Sequence, residues 1–278
     1  IETVTYMISG VVSHKDSMGN SGRIHDGDVQ WMTSGGGIMH EEMPLPCQQE
    51  MVGFQLWVNL PAGLKMTTPR YQNIASDQIP EIIRDDGVKI RVIAGEMDGV
   101  CGPVSDIFAD PTYMDVSIPA NGSFSYSVEQ GDTVIAYVFE GEGVFDSGDL
   151  PKAETVSQPR LVVLSDAGFF EARATKRYVR FLLISGKPLN EPIARYGPFV
   201  MNTQDEIQQA LKAAENDASV RAVILTGSVL EKNGVVKQAF CAGADLKKHA
   251  AGDRTEAQKR KYIMLGQFAT KALYEFPK

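Results

Sequence analysis

Four histidines occur in the chain, at positions 14, 25, 40 and 249, and none falls between Glu41 and Lys248. Imidazole is the commonest transition-metal ligand, so any mononuclear metal site is predicted to lie in the N-terminal part. His40 stands in the run Gly35-Gly-Gly-Ile-Met-His-Glu-Glu-Met-Pro44. On a β-strand, the period of two would put the side chains of His40 and Glu42 on one face and that of Glu41 on the other. An imidazole nitrogen and a carboxylate oxygen on one inward face make half of a mononuclear iron-type site. The three glycines before them permit close backbone approach. The same spacing also suits a surface turn bearing one histidine and two acids, and spacing alone leaves both readings open.

Positioning such a pair requires strands, and the chain is rich in them up to about Gly186. Short β-prone runs include Thr3 to Ile8, Val52 to Asn59, Val88 to Ala94, Tyr113 to Ile118, Thr133 to Phe139, Arg160 to Leu164 and Arg177 to Ile184. Turn sequences such as Asp26-Gly-Asp, Asp86-Gly, Ala120-Asn-Gly and Gln130-Gly-Asp separate them. Many short strands at this spacing predict an antiparallel sandwich or barrel. Tyr6 to Asp28 and Tyr137 to Asp166 share a faint pattern of strand, glycine, strand and Gly- or Asp-containing turn. That pattern predicts two small barrels linked near Ala109 to Tyr113.

Beyond Thr203 the texture changes. Gln204 to Asn216 is rich in helix formers, with Thr203 and Glu206 spaced as a capping box. Val220 to Gly227 is a continuous apolar strand pattern. A loop follows, then Ala239-Phe-Cys-Ala-Gly-Ala-Asp-Leu246 and a second helical pattern from about Thr255 to Tyr274. Helix, buried strand, Gly-rich turn and helix are the parts of an α/β layer.

With 43% hydrophobic and 22% charged residues over 278 positions, the chain has the composition of a globular protein. Its net charge of -8 argues against direct charge-driven binding of nucleic acid or an anionic membrane surface. No apolar run is long enough to span a membrane. Three widely spaced cysteines, Cys47, Cys101 and Cys241, read as ordinary thiols of a reducing compartment, which predicts a cytoplasmic location. The chain begins at Ile1, in what reads as the middle of a strand, so the true start is expected to lie upstream.

Seven ordered segments resemble the pirin family over about residues 1 to 210. In the first half they are Glu2-Thr-Val-Thr-Tyr6, His14-Lys-Asp-Ser-Met-Gly-Asn20, Gly27-Asp-Val-Gln-Trp-Met-Thr33 and Gly37-Ile-Met-His-Glu-Glu-Met-Pro44. In the second they are Tyr137-Val-Phe-Glu-Gly-Glu-Gly143, Gly186-Lys-Pro-Leu-Asn-Glu-Pro192 and Gly197-Pro-Phe-Val-Met-Asn-Thr203. The resemblance implies an all-β double cupin, two antiparallel barrels over 1–112 and 113–203, followed by an α/β fragment over 204–278. It implies one iron per chain, Fe(II) or another divalent transition metal, with His40 and Glu42 as two ligands. Two further histidines are expected upstream of Ile1, so this chain by itself is expected to bind metal weakly. Glu2, at the acid position of the general cupin motif, is expected at most to support the site. His14 reads either as lining the barrel near the metal or, more readily, as a surface histidine beside a turn. Trp31 and Met32 read as core. Gly36 stands where many relatives carry Arg, so any anion contact made by that Arg would be lost. The activity implied is of the quercetin 2,3-dioxygenase type, on a small flavonol-like substrate with O2. The alternative is a non-enzymatic, iron-dependent co-regulator that binds a protein partner.

Asp217-Ala-Ser-Val-Arg-Ala-Val-Ile-Leu-Thr-Gly227 and Ala239-Phe-Cys-Ala-Gly-Ala-Asp-Leu-Lys247 resemble the enoyl-CoA hydratase/isomerase (crotonase) family. There the backbone N–H of Ala244 would be one of two oxyanion donors, and the turn around Ala242 would meet the CoA end. A third and less favoured reading is thus an acyl-CoA-binding, crotonase-type enzyme, but the second donor and the usual carboxylates are expected beyond Lys278, so no acyl-CoA turnover is expected from this part. The two resemblances meet within Gln204 to Asn216, which predicts a fragmentary or chimeric reading frame.

Overall fold

The structure, a computed structural model, describes residues 1–46, 50–108, 111–146, 154–164, 168–216, 228–232 and 235–239. The chain divides into two compact units, Ile1–Glu191 and Pro192–Lys278.

Alternating apolar and polar residues between turn sequences yield, in order, β1 (Glu2–Ser9), β2 (Val12–Asp16), β3 (Ser21–Ile24), β4 (Val29–Thr33), β5 (His40–Pro44), β6 (Val52–Val58), β7 (Arg70–Ile74), β8 (Glu81–Ile83) and β9 (Lys89–Ala94). A short ladder pairs β10 (Glu96–Met97) with β11 (Val100–Cys101). Then come β12 (Thr112–Ile118), β13 (Ser123–Ser127), β14 (Thr133–Asp146), β15 (Thr155–Ser157), β16 (Arg160–Leu164) and β17 (Phe169–Gly186).

Two sheets, ordered β6-β1-β4-β7 and β3-β2-β5, form the first barrel. Contacts from Thr5 to Glu42 and from His14 to Tyr71 join these two walls. A larger sheet runs β15-β14-β17-β12-β9-β8, with β13 on β17 and β16 on β14, and forms the second barrel. Residues before position 112 therefore supply two of its strands. The double-cupin architecture expected from the sequence is the one observed.

The two barrels are filled differently. The second encloses an apolar core in which Phe124, Phe145, Phe170 and Phe181 pack with ring centroids 5.2 to 6.3 Å apart. In the first, the apolar side chains of the four-stranded sheet (Val4, Tyr6, Val29 and Trp31 among them) point outward onto Ile93, Ala94, Tyr113 and Leu182. The alternation then turns Thr3, Thr5, Gln30 and Gln55 inward. Polar lining inside one barrel and aromatic filling inside the other put any binding chemistry in the first.

Two strands are longer than expected. Thr133 to Phe139 and Arg177 to Ile184 were predicted as short strands, with Gly141-Glu-Gly143 between elements; β14 and β17 run on to Asp146 and back to Phe169. Gly141, at φ +72, absorbs a register shift there, and a Cβ would collide with the Tyr178 carbonyl, so the glycine bends the strand without ending it. Trp31 is core, as expected, whereas Met32, equally buried, lies opposite Thr3 and faces the interior of the first barrel.

The second unit begins with the pair β18 (Ala194–Tyr196) and β19 (Phe199–Met201), followed by α1 (Gln204–Asn216). The capping box forms: the Glu206 N–H donates to Thr203 Oγ1 at 3.2 Å, and the Thr203 N–H to Glu206 Oε2 at 2.8 Å. The loop predicted after Gly227 contains an antiparallel hairpin of β20 (Ser228–Lys232) and β21 (Val235–Ala239), where Val229, Val235 and Val236 favour strand. The apolar strand pattern at 220–227 and the helical pattern at 255–274 lie outside the described residues. Among those described, no helix is long and apolar enough to cross a membrane.

Candidate metal centre

β5 forms because Gly35-Gly36-Gly37 lets the chain turn tightly into it. Gly35 adopts φ +50, and the Gly36 N–H donates to the Thr67 carbonyl at 2.8 Å. The glycines thus serve a close backbone approach beside the strand. Gly36 itself has Met66 and Thr67 as neighbours.

His40, at the start of β5, lies opposite Asp16 of β2, and Glu42 lies opposite His14. Directly paired residues in an antiparallel ladder share a face, so His14, Asp16, His40 and Glu42 all project to one side. Glu41 projects to the other, opposite Lys15. The half-buried Glu42 is held at both oxygens. Thr5 Oγ1 donates to Oε1 at 3.0 Å, and Gln55 Nε2 donates to Oε2 at 2.7 Å. His40 is exposed, with its ring centroid 6.0 Å from that of His14.

The surface position expected for His14 is overturned. Its side chain is 2% exposed, because pairing between β2 and β5 turns it inward. Its Nε2 lies 3.2 Å from Tyr71 Oη on the opposite wall. Burial, and then the neighbouring His40, hold its pKa below the ordinary histidine value, which favours the neutral imidazole. Burial, and then the Asp16 carboxylate, push the Tyr71 phenol up.

Glu2 does not join this group. It is fully buried on the face of β1 opposite Thr3 and Thr5, where Thr33 Oγ1 donates to its Oε1 at 2.7 Å. His25 is exposed in the turn after β3, its N–H donating to Asp28. Ala242 and Ala244 lie outside the described residues.

An imidazole and a hydrogen-bonded carboxylate on one face suit a divalent first-row transition metal. Among the described residues, no three His, Cys, Asp or Glu side chains are gathered as a ready ligand group. His40 and Glu42 present two donors of these types on one face. Thr5, Gln55 and Tyr71 escaped the sequence reading. A signal for Gln55 existed, since a polar residue between Phe54 and Leu56 in an apolar strand marks an inward-facing polar position.

Comparison with known proteins matches residues 1–58 to the family described as Pirin and 113–232 to the Pirin C-terminal cupin domain. Residues 196–276 match Enoyl-CoA hydratase/isomerase. A pirin-like protein of Solanum lycopersicum is 42% identical over 212 residues, covering 75% of this chain and 70% of its own length. The crystal structure of a quercetin 2,3-dioxygenase from Acinetobacter baumannii is similar at 36% identity and a TM-score of 0.70, over 80% of this chain and 77% of that one. The Escherichia coli bacterial pirin YhhW, solved in complex with nickel(II), shares the fold at 20% identity and a TM-score of 0.50, over 67% and 72% of the two chains.

Proposed function

The chain belongs to the pirin family, and from that premise we propose that its first barrel is a metal-dependent dioxygenase site for a flavonol-like substrate and O2. The observation that supports this reading is that His40 and Glu42 share one face of β5, with Glu42 bonded across to Thr5 and Gln55 of the polar-lined wall and His40 exposed beside the buried His14. The likeness to the Acinetobacter baumannii quercetin 2,3-dioxygenase supports the substrate class. In this reading His40 and Glu42 hold Fe(II) or another divalent transition metal, and two histidines upstream of Ile1 complete the set. A metal held by His40 and Glu42 would supply Lewis-acid chemistry toward an enolic oxygen and O2. Thr5 and Gln55 keep the Glu42 carboxylate oriented, and the buried Thr3, Gln30 and Met32 wall the interior. Three widely spaced cysteines, an odd number, support a cytoplasmic location.

The test is O2 uptake with quercetin by the iron-loaded protein extended upstream of Ile1. Uptake matched to quercetin loss, and abolished by His40→Ala and by Glu42→Ala, is expected. Intact quercetin, or uptake surviving both substitutions, rejects the reading.

A second reading, a metal-dependent module that binds a protein partner, is favoured by exposed methionines around this barrel. Met18, Met39, Met43 and Met51 are each 46 to 55% exposed, and such adaptable side chains suit a contact surface. It predicts partner binding that follows the oxidation state of iron, with no quercetin turnover.

A further inference from the structure

Trp57 and Gln55 are neighbours at alternate positions of β6 and face the same way as Thr5 on β1. The Trp57 indole Nε1–H donates to Gln55 Oε1 at 3.1 Å. Gln55 Nε2 in turn donates to Glu42 Oε2 at 2.7 Å and to Thr5 Oγ1 at 3.3 Å. Thr5 Oγ1 passes its own hydrogen to Glu42 Oε1 at 3.0 Å.

The chemistry of these groups permits one direction only. An indole N–H donates and never accepts, so it must meet the amide oxygen of Gln55. The amide nitrogen is then left facing the carboxylate. Turning the amide over would set N–H against N–H at Trp57 and oxygen against carboxylate oxygen at Glu42, breaking both contacts. With both Gln55 hydrogens and its oxygen committed, and Thr5 closing the ring, the carboxylate plane is fixed from two sides. Each Glu42 oxygen still has a lone pair for another partner.

We propose that Trp57 and Gln55 are positioning residues for Glu42: Trp57 sets the Gln55 amide, and Gln55 with Thr5 presents the carboxylate in one orientation to a metal in the first barrel. This rests on the reading of His40 and Glu42 as metal ligands. It goes beyond that reading in assigning a hydrogen-bond relay that starts at a half-exposed tryptophan.

Co(II) is the probe, because its visible d–d absorption reports both binding and ligand geometry. In titrations of the 278-residue chain, Gln55→Leu is expected to weaken Co(II) binding about tenfold or more and to alter the d–d spectrum. Trp57→Phe keeps an aromatic side chain, though a smaller one, and loses the single donor, and weakens binding by a smaller factor. Because Trp57 acts through Gln55, Trp57→Phe adds nothing in the Gln55→Leu background. Affinities unchanged in the single variants, or effects that add in the double variant, overturn the relay.

A metal-free readout separates the relay from the metal reading. The chain has two tryptophans, so the Trp57 Nε1–H resonance is identified by its loss in Trp57→Phe. It is expected to shift in Gln55→Leu, and a resonance that stays in place overturns the relay whatever the metal does. Co(II) binding that is equal in the unsubstituted chain and in His40→Ala removes the metal reading instead.

Discussion

The hydroxyl of Tyr6 on β1 donates to Asp115 Oδ2 on β12 at 2.7 Å, joining residues 109 positions apart. Its neighbour Thr5 points the other way and donates to Glu42. One strand thus carries the wall of the candidate centre on one face and the anchor to the second barrel on the other. Asp115 is also gripped by Arg180, through Nε to Oδ1 at 3.0 Å and Nη2 to Oδ2 at 2.7 Å, and Arg91 Nη1 donates to Tyr6 Oη at 3.1 Å. Burial, and then the Asp115 charge, hold the Tyr6 pKa above the ordinary tyrosine value, so the phenol stays protonated and donating.

Replacing Tyr6 with Phe keeps the ring and deletes this bond to a buried anion. The expected loss is about 2 kcal/mol, the range for hydrogen bonds to charged groups. Urea denaturation is expected to show a lower midpoint at an unchanged slope. An unchanged midpoint would mean that Arg180 satisfies Asp115 alone.

Removing Arg180 is more damaging, because Asp115 is 3% exposed and, among the described residues, keeps Tyr6 as its one side-chain donor. Arg180→Met is expected to cost about 3 kcal/mol, the lower end for a broken buried pair, since the Arg180 side chain is itself 26% exposed. Adding Asp115→Leu removes the stranded charge and should restore most of the loss. A double variant less stable than Arg180→Met contradicts this account.

At Gly35 the conformation and the contact can be tested apart. φ is +50, and a Cβ would strike the Thr67 carbonyl, whereas Gly19 at φ +89 has nothing within 4 Å. Gly19→Ala is expected to cost about 1 kcal/mol, the strain of a left-handed residue. Gly35→Ala should cost at least about twice that, because the backbone of Thr67 must also move. Equal losses in thermal or chemical denaturation would show that the clash is relieved freely.

Asp16 gives a pH signature at the turn opposite His40. Desolvation would raise its pKa, yet hydrogen bonds from the Asn20 side chain, the Asn20 N–H and the Met18 N–H prevail and bring it from 3.8 to about 2. A carboxyl depressed in the folded state contributes stability that is full above pH 3.8 and is lost as pH falls towards about 2. The stability gap between the native chain and Asp16→Asn is expected to be constant above about pH 4 and to narrow below it. A gap that does not change with pH excludes the mechanism.

Local patterns were legible in the amino-acid order alone. β-prone runs between turn sequences predicted the strands around Thr3 to Ile8 and Val52 to Asn59, Thr203 and Glu206 announced α1, and the gap in histidines confined the predicted metal site to the first half. The period of two also separated His40 and Glu42 from Glu41 without coordinates. Each of these depends on residues a few positions apart.

What tertiary structure decided was register and partnership between distant segments. Pairing of β2 with β5 turned His14 from an expected surface residue into a buried neighbour of His40. Glu42 found its donors on two other strands, at Thr5 and Gln55, and β1 found Asp115 in the other barrel. Sequence spacing fixes which way a side chain points along its own strand. Which strand lies opposite is set by burying the apolar face of the first sheet on the second barrel, a choice made by the whole fold.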